Sequence, residues 1–288
     1  MRDGGIQYLS PSSYKDWKHC AHRFKLVRID GLKEQQIKTV NLDVGTVFDA
    51  HVKKLLNKRL ELGLLLKEVD ETSQAMDIGR NIAAIYKKSG ALQHLIDEGV
   101  GHVEIDKEFT INGVPVYGKP DFVMHDGTIG DWKTSLSGSP KPGYYRRIEY
   151  QTDTGLTFEK LPHEKNGINL EEIDNDWAIQ VTIYAFLMGK KPTVGLKARI
   201  EHLVTQVNKV VVCSYLAKIG LEFQNYIYHD LKIVWDDIMA GRFPPPIFDK
   251  FRCYKWGKTC EVAEHCEAFK RAMDNENKNE MQIMLGGL

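Results

Sequence analysis

The sequence lacks any stretch approaching about 18 consecutive apolar residues, so no helix that crosses a bilayer is expected. It opens Met1-Arg-Asp-Gly-Gly, without the apolar centre of a secretory signal. A cytoplasmic setting is therefore expected, or a host-cell cytoplasm if the chain is phage-encoded. No membrane partner is expected. A surplus of charge is lacking too: Lys+Arg and Asp+Glu number 39 each, for a net charge of zero. Overall charge thus points to no partner, and any nucleic acid must be held by a local basic groove. The chain has no internal repeat, no low-complexity tract and no G-x-x-x-x-G-K-[ST] loop, so any ATP-driven unwinding belongs to a separate protein. Cysteines are few and odd in number, five in all, which argues against a disulfide framework. Three of them, Cys253, Cys260 and Cys266, crowd near the end of the chain and call for an explanation.

What is present is an ordinary globular composition, 42% hydrophobic and 27% charged over 288 residues. That length can bury a sizeable core as one large domain or two small ones. Ser10 and Pro11 open a helix whose apolar stripe is Tyr14, Trp17, Cys20, Phe24 and Val27, and Gly31 ends it. Further helices are expected at about Val44 to Leu62 and within Thr72 to Lys88. His102 to Ile111 alternates as a half-buried strand, Asn112-Gly113 is a hairpin turn, and Val114 to Met124 is the return strand. A turn at His125-Asp-Gly127 leads to a strand over Thr128 to Lys133, completing an antiparallel meander. Residues 136–172, rich in Gly, Pro and charge, read as an inserted loop with a hairpin near Thr154-Gly155. A helix from about Asp174 to Met188, strands at Lys197 to Leu203 and Lys209 to Cys213, and a helix from Tyr215 to Met239 complete a mixed α/β pattern.

The chemistry concentrates in the meander. Asp121 ends one strand and Asp131-Trp132-Lys133 lies on the next, joined by a tight turn that sets them side by side. Side chains alternate, so Asp131 and Lys133 share a face while Trp132 points away. Two carboxylates and an ammonium can therefore converge. Hard oxygen ligands suit Mg²⁺ or Mn²⁺, which neutralise a phosphate, and a lysine can serve the attacking water.

The segment Gly118-Lys-Pro-Asp121 followed by Ile-Gly-Asp131-Trp-Lys133-Thr resembles the signature of the PD-(D/E)XK nuclease superfamily, and most closely its RecB/AddB-like branch. That branch carries G-x-x-x-H upstream. Gly45-Thr-Val-Phe-Asp49 fits with Asp49 in the histidine's place; His51, two residues on, is the alternative ligand. Downstream it carries Q-x-x-x-Y, matched by Gln180 and Tyr184 on one helix face. The resemblance implies a restriction-endonuclease-like α/β core, with a central mixed sheet flanked by helices. It implies Asp49, Asp121 and Asp131 as metal ligands, helped by the Trp132 carbonyl, and Lys133 at the water. Gln180 would place the lysine or touch DNA, and Tyr184 would support the site. One nuclease domain is expected over 1–288: a helical part over 9–98, a core over 99–240 and a cysteine-rich segment over 241–288.

Cys20, in His-Cys20-Ala-His-Arg-Phe24, resembles the first cysteine of the branch's iron–sulfur members, whose other three follow the core. By that resemblance Cys20, Cys253, Cys260 and Cys266 would bind a [4Fe–4S] cluster that clasps the chain ends. Four thiolates also suit Zn²⁺. Cys213 ends a strand and reads as core.

Basic runs at Lys53, Lys54, Lys58 and Arg59, at Arg146 and Arg147, and at Lys190 and Lys191 are candidate phosphate contacts, with Tyr144, Tyr145 and Tyr150 for stacking. Arg146 and Arg147 suggest that the insertion acts as a lid or a strand guide. The expected function is DNA cleavage by an exonuclease that acts on single-stranded or duplex ends, in recombination, repair, phage replication or CRISPR adaptation, with a helicase or recombination protein as a separate partner. A non-catalytic DNA-binding module and a restriction-type endonuclease are the rivals.

Overall fold

The computed structural model describes residues 6–32, 40–63, 68, 71–103, 106–141, 146–160, 173–249, 253–255, 258–260 and 262–275. The chain forms two compact units, Lys38–Asp230 on one hand and Met1–Ile37 with Leu231–Leu288 on the other. The first helix and the cysteine-rich tail fall in the same unit.

In the larger unit, helices α3 (Val40–Leu60), α4 (Ser73–Lys88) and α5 (Ala91–Asp97) precede the strands. In the smaller unit α1 (Pro11–His19) and α2 (Ala21–Phe24) come first. A seven-stranded sheet runs in the order β1 (Val100–Val103), β4 (Phe122–Met124), β5 (Ile129–Ser135), β8 (Leu196–Gln206), β9 (Lys209–Ile219), β6 (Arg146–Gln151), β7 (Thr157–Lys160). Strands β5 and β8 are parallel and the other neighbours antiparallel, so the central sheet is mixed as expected. Between β1 and β4 the chain makes a separate hairpin of β2 (Lys107–Ile111) and β3 (Val114–Gly118), turning at Asn112 and Gly113 with φ of 51° and 77°.

Four expectations for the larger unit need correcting. His102 to Ile111 is not one strand: β1 joins the large sheet and β2 the hairpin. The return strand is broken between Gly118 and Phe122, where Pro120 has no N–H to give a ladder. The strand after Lys209 does not stop at Cys213. It stays in register with β8 as far as Ile219, and α7 (Leu221–Met239) begins after Gly220, not at Tyr215. Val210 to Cys213 and Tyr215 are buried, and β-branched residues there suit a pleated surface better than a helix. Finally, the described residues 146–160 of the expected insertion are not a loop outside the sheet. The expected hairpin forms, with Gly155 at φ 70°, but β6 pairs with β9 along its whole length and is part of the central sheet.

Helices cover both faces of the sheet. Val44, Phe48, Val52 and Leu56 of α3, with Tyr86 of α4 and Leu92 of α5, pack on Phe122, Trp132 and Leu203 from one side. On the other lies α6 (Asn175–Leu187), capped by Asp174 and followed by Gly189 at φ 79°. Its residues from Val181 to Leu187 are all buried, as a helix lodged between layers requires. In the smaller unit Ser10 caps α1 through a reciprocal bond with Ser13, and Trp17 packs edge-on to Phe24 and against Phe243. The first helix is thus shorter than the sequence suggested: it breaks at Cys20, and α2 leads into a π-helical turn over Lys25–Ile29.

Candidate active site

The site is built where α3, the loop before β4, strand β5 and helix α6 meet. The β4–β5 turn brings its two carboxylates together. Asp126 accepts the Thr128 N–H at 2.9 Å, Gly127 takes φ 81°, and the Lys190 ammonium donates to the Gly127 carbonyl at 2.5 Å. Lys190 therefore secures the turn and is not a free phosphate contact. Asp121 sits just before β4, and its Oδ2 accepts the Trp132 peptide N–H at 2.9 Å. That bond fixes Asp121 against β5 where β4 no longer pairs with it.

Glycine makes two close approaches possible. A Cβ on Gly118 would lie 2.7 Å from Leu187 Cδ1 and 3.1 Å from Tyr184 Cε1, so the absence of one lets α6 settle on β3. A Cβ on Gly130 would lie 2.0 Å from Phe122 Cε2. The Phe122 ring occupies that space and packs on Trp132 at 4.7 Å between centroids. Trp132 thus points into the core while Asp131 and Lys133 point to the opposite face, as alternation predicts.

On that face Asp131 is 2% exposed. Its Oδ2 is ion-paired with the Lys133 ammonium, and its Oδ1 accepts the Gln180 amide at 2.8 Å. Gln180 uses its other end as well: Oε1 accepts from Lys133 Nζ at 3.2 Å, and Nε2 also donates to the Tyr184 hydroxyl at 3.0 Å. One amide therefore holds the carboxylate, the ammonium and the phenol in fixed relation. Burial pushes the Asp131 carboxyl up to about 7, against the Lys133 charge and with help from Asp121. Burial works against the Lys133 charge, but Asp131, then Asp121 and Asp49, outweigh it and hold the ammonium above its ordinary pKa. Burial and the same three carboxylates raise the Tyr184 phenol, keeping it protonated.

Asp49 and His51 part company. Asp49, on α3, faces the carboxylate cluster. His51 instead takes a bond from Arg80 Nε of α4 at 3.3 Å, and partial burial together with Arg80 and Lys54 lowers its pKa. A cavity of about 240 Å³ opens beside the cluster, lined by Gly45, Thr46, Phe48, Asp49, Trp132, Lys133 and Thr134.

One residue of this site was placed elsewhere by the sequence. Lys53, grouped there with the surface cations, is 4% exposed, and its Nζ lies 2.5 Å from Asp49 Oδ2 and 3.3 Å from Asp121 Oδ1. Its spacing of four from Asp49 on a helix was the available signal. Lys54, Lys58 and Arg59 are exposed as expected. Arg146 and Arg147 are corrected too. Arg146 pairs with Glu98 and Glu159, and Arg147 with Glu149, so both are committed to carboxylates of the chain itself. Tyr144 and Tyr145 lie outside the described residues.

As the side chains stand, no group of three or more His, Cys, Asp or Glu among the described residues is arranged to hold a metal ion. For the carboxylates the cause is visible: two ammonium groups stand among the three acids. The donor set still suits a hard dication, because one cation, the Lys53 ammonium, already reaches Asp49 and Asp121 together. Cys20, Cys253, Cys260 and Cys266 are half-buried and all belong to the smaller unit. Cys213 is fully buried, as read from sequence.

No curated protein matches this chain. Among solved structures, a protein from Eubacterium rectale described as a candidate exonuclease aligns with a TM-score of 0.51 and 15% identity, over 92% of this chain and 88% of that one. That likeness speaks to the fold. The structure of SSO0001 aligns at a TM-score of 0.33 and 14% identity, over 78% and 85%, too weakly to carry an argument. The family model of the PD-(D/E)XK nuclease superfamily matches residues 8–267, nearly the whole chain. This protein belongs to the PD-(D/E)XK nuclease superfamily.

Proposed function

We propose that the chain is a metal-dependent deoxyribonuclease of the RecB/AddB-like branch that degrades DNA from its ends. The observation that carries this reading is the meeting of Asp49, Asp121, Asp131 and Lys133 at one place, with Gln180 and Tyr184 bracing them. Asp49, Asp121 and Asp131 would hold Mg²⁺ or Mn²⁺, with the Trp132 carbonyl as a further ligand. When bound, such an ion supplies charge for the phosphate and a more acidic water. The chain's own groups do the rest. Lys133, held by Gln180 Oε1, presents N–H donors to the attacking water and to the charge that builds on the phosphate. Gln180 keeps Asp131 and Lys133 in fixed relation, and the neutral Tyr184 phenol buttresses Gln180. The exposed Lys54, Lys58 and Arg59 of α3 are the cations available for backbone phosphates.

In the smaller unit, Cys20, Cys253, Cys260 and Cys266 would bind a [4Fe–4S] cluster, or Zn²⁺ in its place. Supporting this, the two chain ends share one unit. The tail is also folded back on itself, the Cys260 N–H donating to the Cys253 carbonyl at 2.8 Å. Iron and sulfide analysis of anaerobically prepared protein decides it: about four of each per chain is expected, and zinc without sulfide would assign the site to zinc.

The nuclease reading is tested with linear and covalently closed circular DNA, single- and double-stranded, in Mg²⁺, Mn²⁺ or a chelator. Metal-dependent loss of linear DNA with circles spared is expected. Discrete fragments from circles would indicate a restriction-type endonuclease instead. The position of Lys53 between two of the acids favours a second reading, a DNA-binding module that does not cut. Binding without cleavage under every metal would establish it.

A further inference from the structure

Two ammonium groups sit among the three acids, and the mechanism above uses only Lys133. Lys53 is the more deeply buried of the two, its side chain 5% exposed against 27% for Lys133. It rises from α3 one turn after Asp49 and touches Asp49 Oδ2 at 2.5 Å and Asp121 Oδ1 at 3.3 Å. The other oxygen of Asp121 is taken by the Trp132 peptide N–H at 2.9 Å. To reach Asp121 through Oδ1, an incoming cation must therefore meet the oxygen that Lys53 contacts.

We infer that Lys53 is an internal counter-cation that competes with the divalent ion for Asp49 and Asp121, and so sets the metal concentration at which the site loads. This rests on the proposal that those two residues are metal ligands. The geometry gives the reason. A dication on the same oxygens would be a close neighbour of the ammonium, and two cations in a poorly hydrated site repel strongly. Either Lys53 swings off one carboxylate or the metal does not enter. Without metal, the ammonium offsets part of the repulsion among three acids that share one small volume. Lys53 is thus a positioning residue in the metal-free state and an obstacle to loading.

Replacing the charge while keeping the bulk separates competition from packing. Lys53→Met should bind Mn²⁺ about tenfold or more tightly than wild type, measured by isothermal titration calorimetry, whereas Lys53→Arg, which keeps the cation, should not. Equal or weaker binding by Lys53→Met would overturn the inference while leaving the ligand assignment standing, provided that Asp121→Asn weakens wild-type binding. If wild type binds no Mn²⁺ at all, the ligand assignment fails and the inference falls with it. A measurement on unaltered protein guards against a variant that does not fold. The Lys53 ammonium is buried enough to give its own ¹H–¹⁵N resonance. On titration with diamagnetic Mg²⁺ that resonance should shift or vanish into exchange with solvent. A resonance unmoved at saturating Mg²⁺ would equally refute competition.

Discussion

Behind β5, on the face away from the acids, lies a buried ionic network whose disruption can be costed. Glu201 is 0% exposed and Arg199 4%. Arg199 Nε donates to Glu201 Oε1 at 2.7 Å, and its Nη1 is paired with Glu98. Glu201 Oε2 accepts from the Ser214 hydroxyl at 3.0 Å and from the Tyr86 hydroxyl at 3.3 Å. Glu201 stands in register with Trp132, between Asp131 and Lys133 on the adjacent parallel strand, so the network helps to seat β5. Arg199→Met leaves Glu201 a buried charge facing only hydroxyl donors. Breaking such a pair costs about 3–5 kcal/mol. At about 2–4 °C per kcal/mol for a unit of this size, the apparent Tm should fall by roughly 6–20 °C. Arg199→Met combined with Glu201→Met removes both charges, so it should recover most of the loss, short of about 1 kcal/mol for each stranded hydroxyl. Differential scanning calorimetry at neutral pH on wild type and both variants measures this. A single variant melting within about 2 °C of wild type, or a double variant less stable than the single, would refute the reasoning.

Three further outcomes follow from the same geometry. Gln180→Leu removes charge-assisted bonds to Asp131 and Lys133 worth about 1.5–3 kcal/mol, so single-turnover cleavage should slow by about 10- to 100-fold with DNA affinity little changed; an unchanged rate would deny Gln180 its bracing role. Gly130→Ala drives a methyl into Phe122, which is fully buried, and should cost about 3 kcal/mol or more by urea unfolding; a loss under about 0.5 kcal/mol would mean that the ring has room to move. His202, 4% exposed and bonded to Ser135 at 2.9 Å, has its pKa lowered to about 4, by burial first and then by the Lys141 and Lys133 charges. The unfolded chain, with its histidine near 6.5, then binds more protons than the folded one between those values. Stability from this group is complete above about pH 6.5 and declines by roughly 3 kcal/mol as pH falls through 6.5 toward 4. Subtracting the profile of His202→Phe from that of wild type should isolate that slope, and parallel profiles would contradict it.

Much of the site was legible because its rules are local. Alternation placed Asp131 and Lys133 together, the Asp126-Gly127 turn set Asp121 beside them, and helical spacing aligned Gln180 with Tyr184. What escaped was decided by tertiary partners. Lys53 reads as one cation in an exposed run, because nothing near it in sequence reveals that Asp121, far along the chain, lies above it. Arg146 and Arg147 read as a DNA guide until β6 is found in the central sheet with Glu98, Glu149 and Glu159 within reach. Strand β9 ran past its expected end because eleven residues of β8 were there to pair with it, a long-range fact that periodicity does not carry. Gly118 and Gly130 were visible as motif letters, but their purpose lies in the Leu187 side chain and the Phe122 ring that approach them.

The account as a whole stands on Asp131, the buried acid that Lys133 and Gln180 both hold. Asp131→Asn keeps the shape and removes the charge. With linear DNA and saturating Mn²⁺, its single-turnover cleavage rate should fall by at least about a thousandfold while DNA affinity stays near wild type. Cleavage within about tenfold of wild type would contradict the assignment of this cluster as the site of phosphodiester hydrolysis.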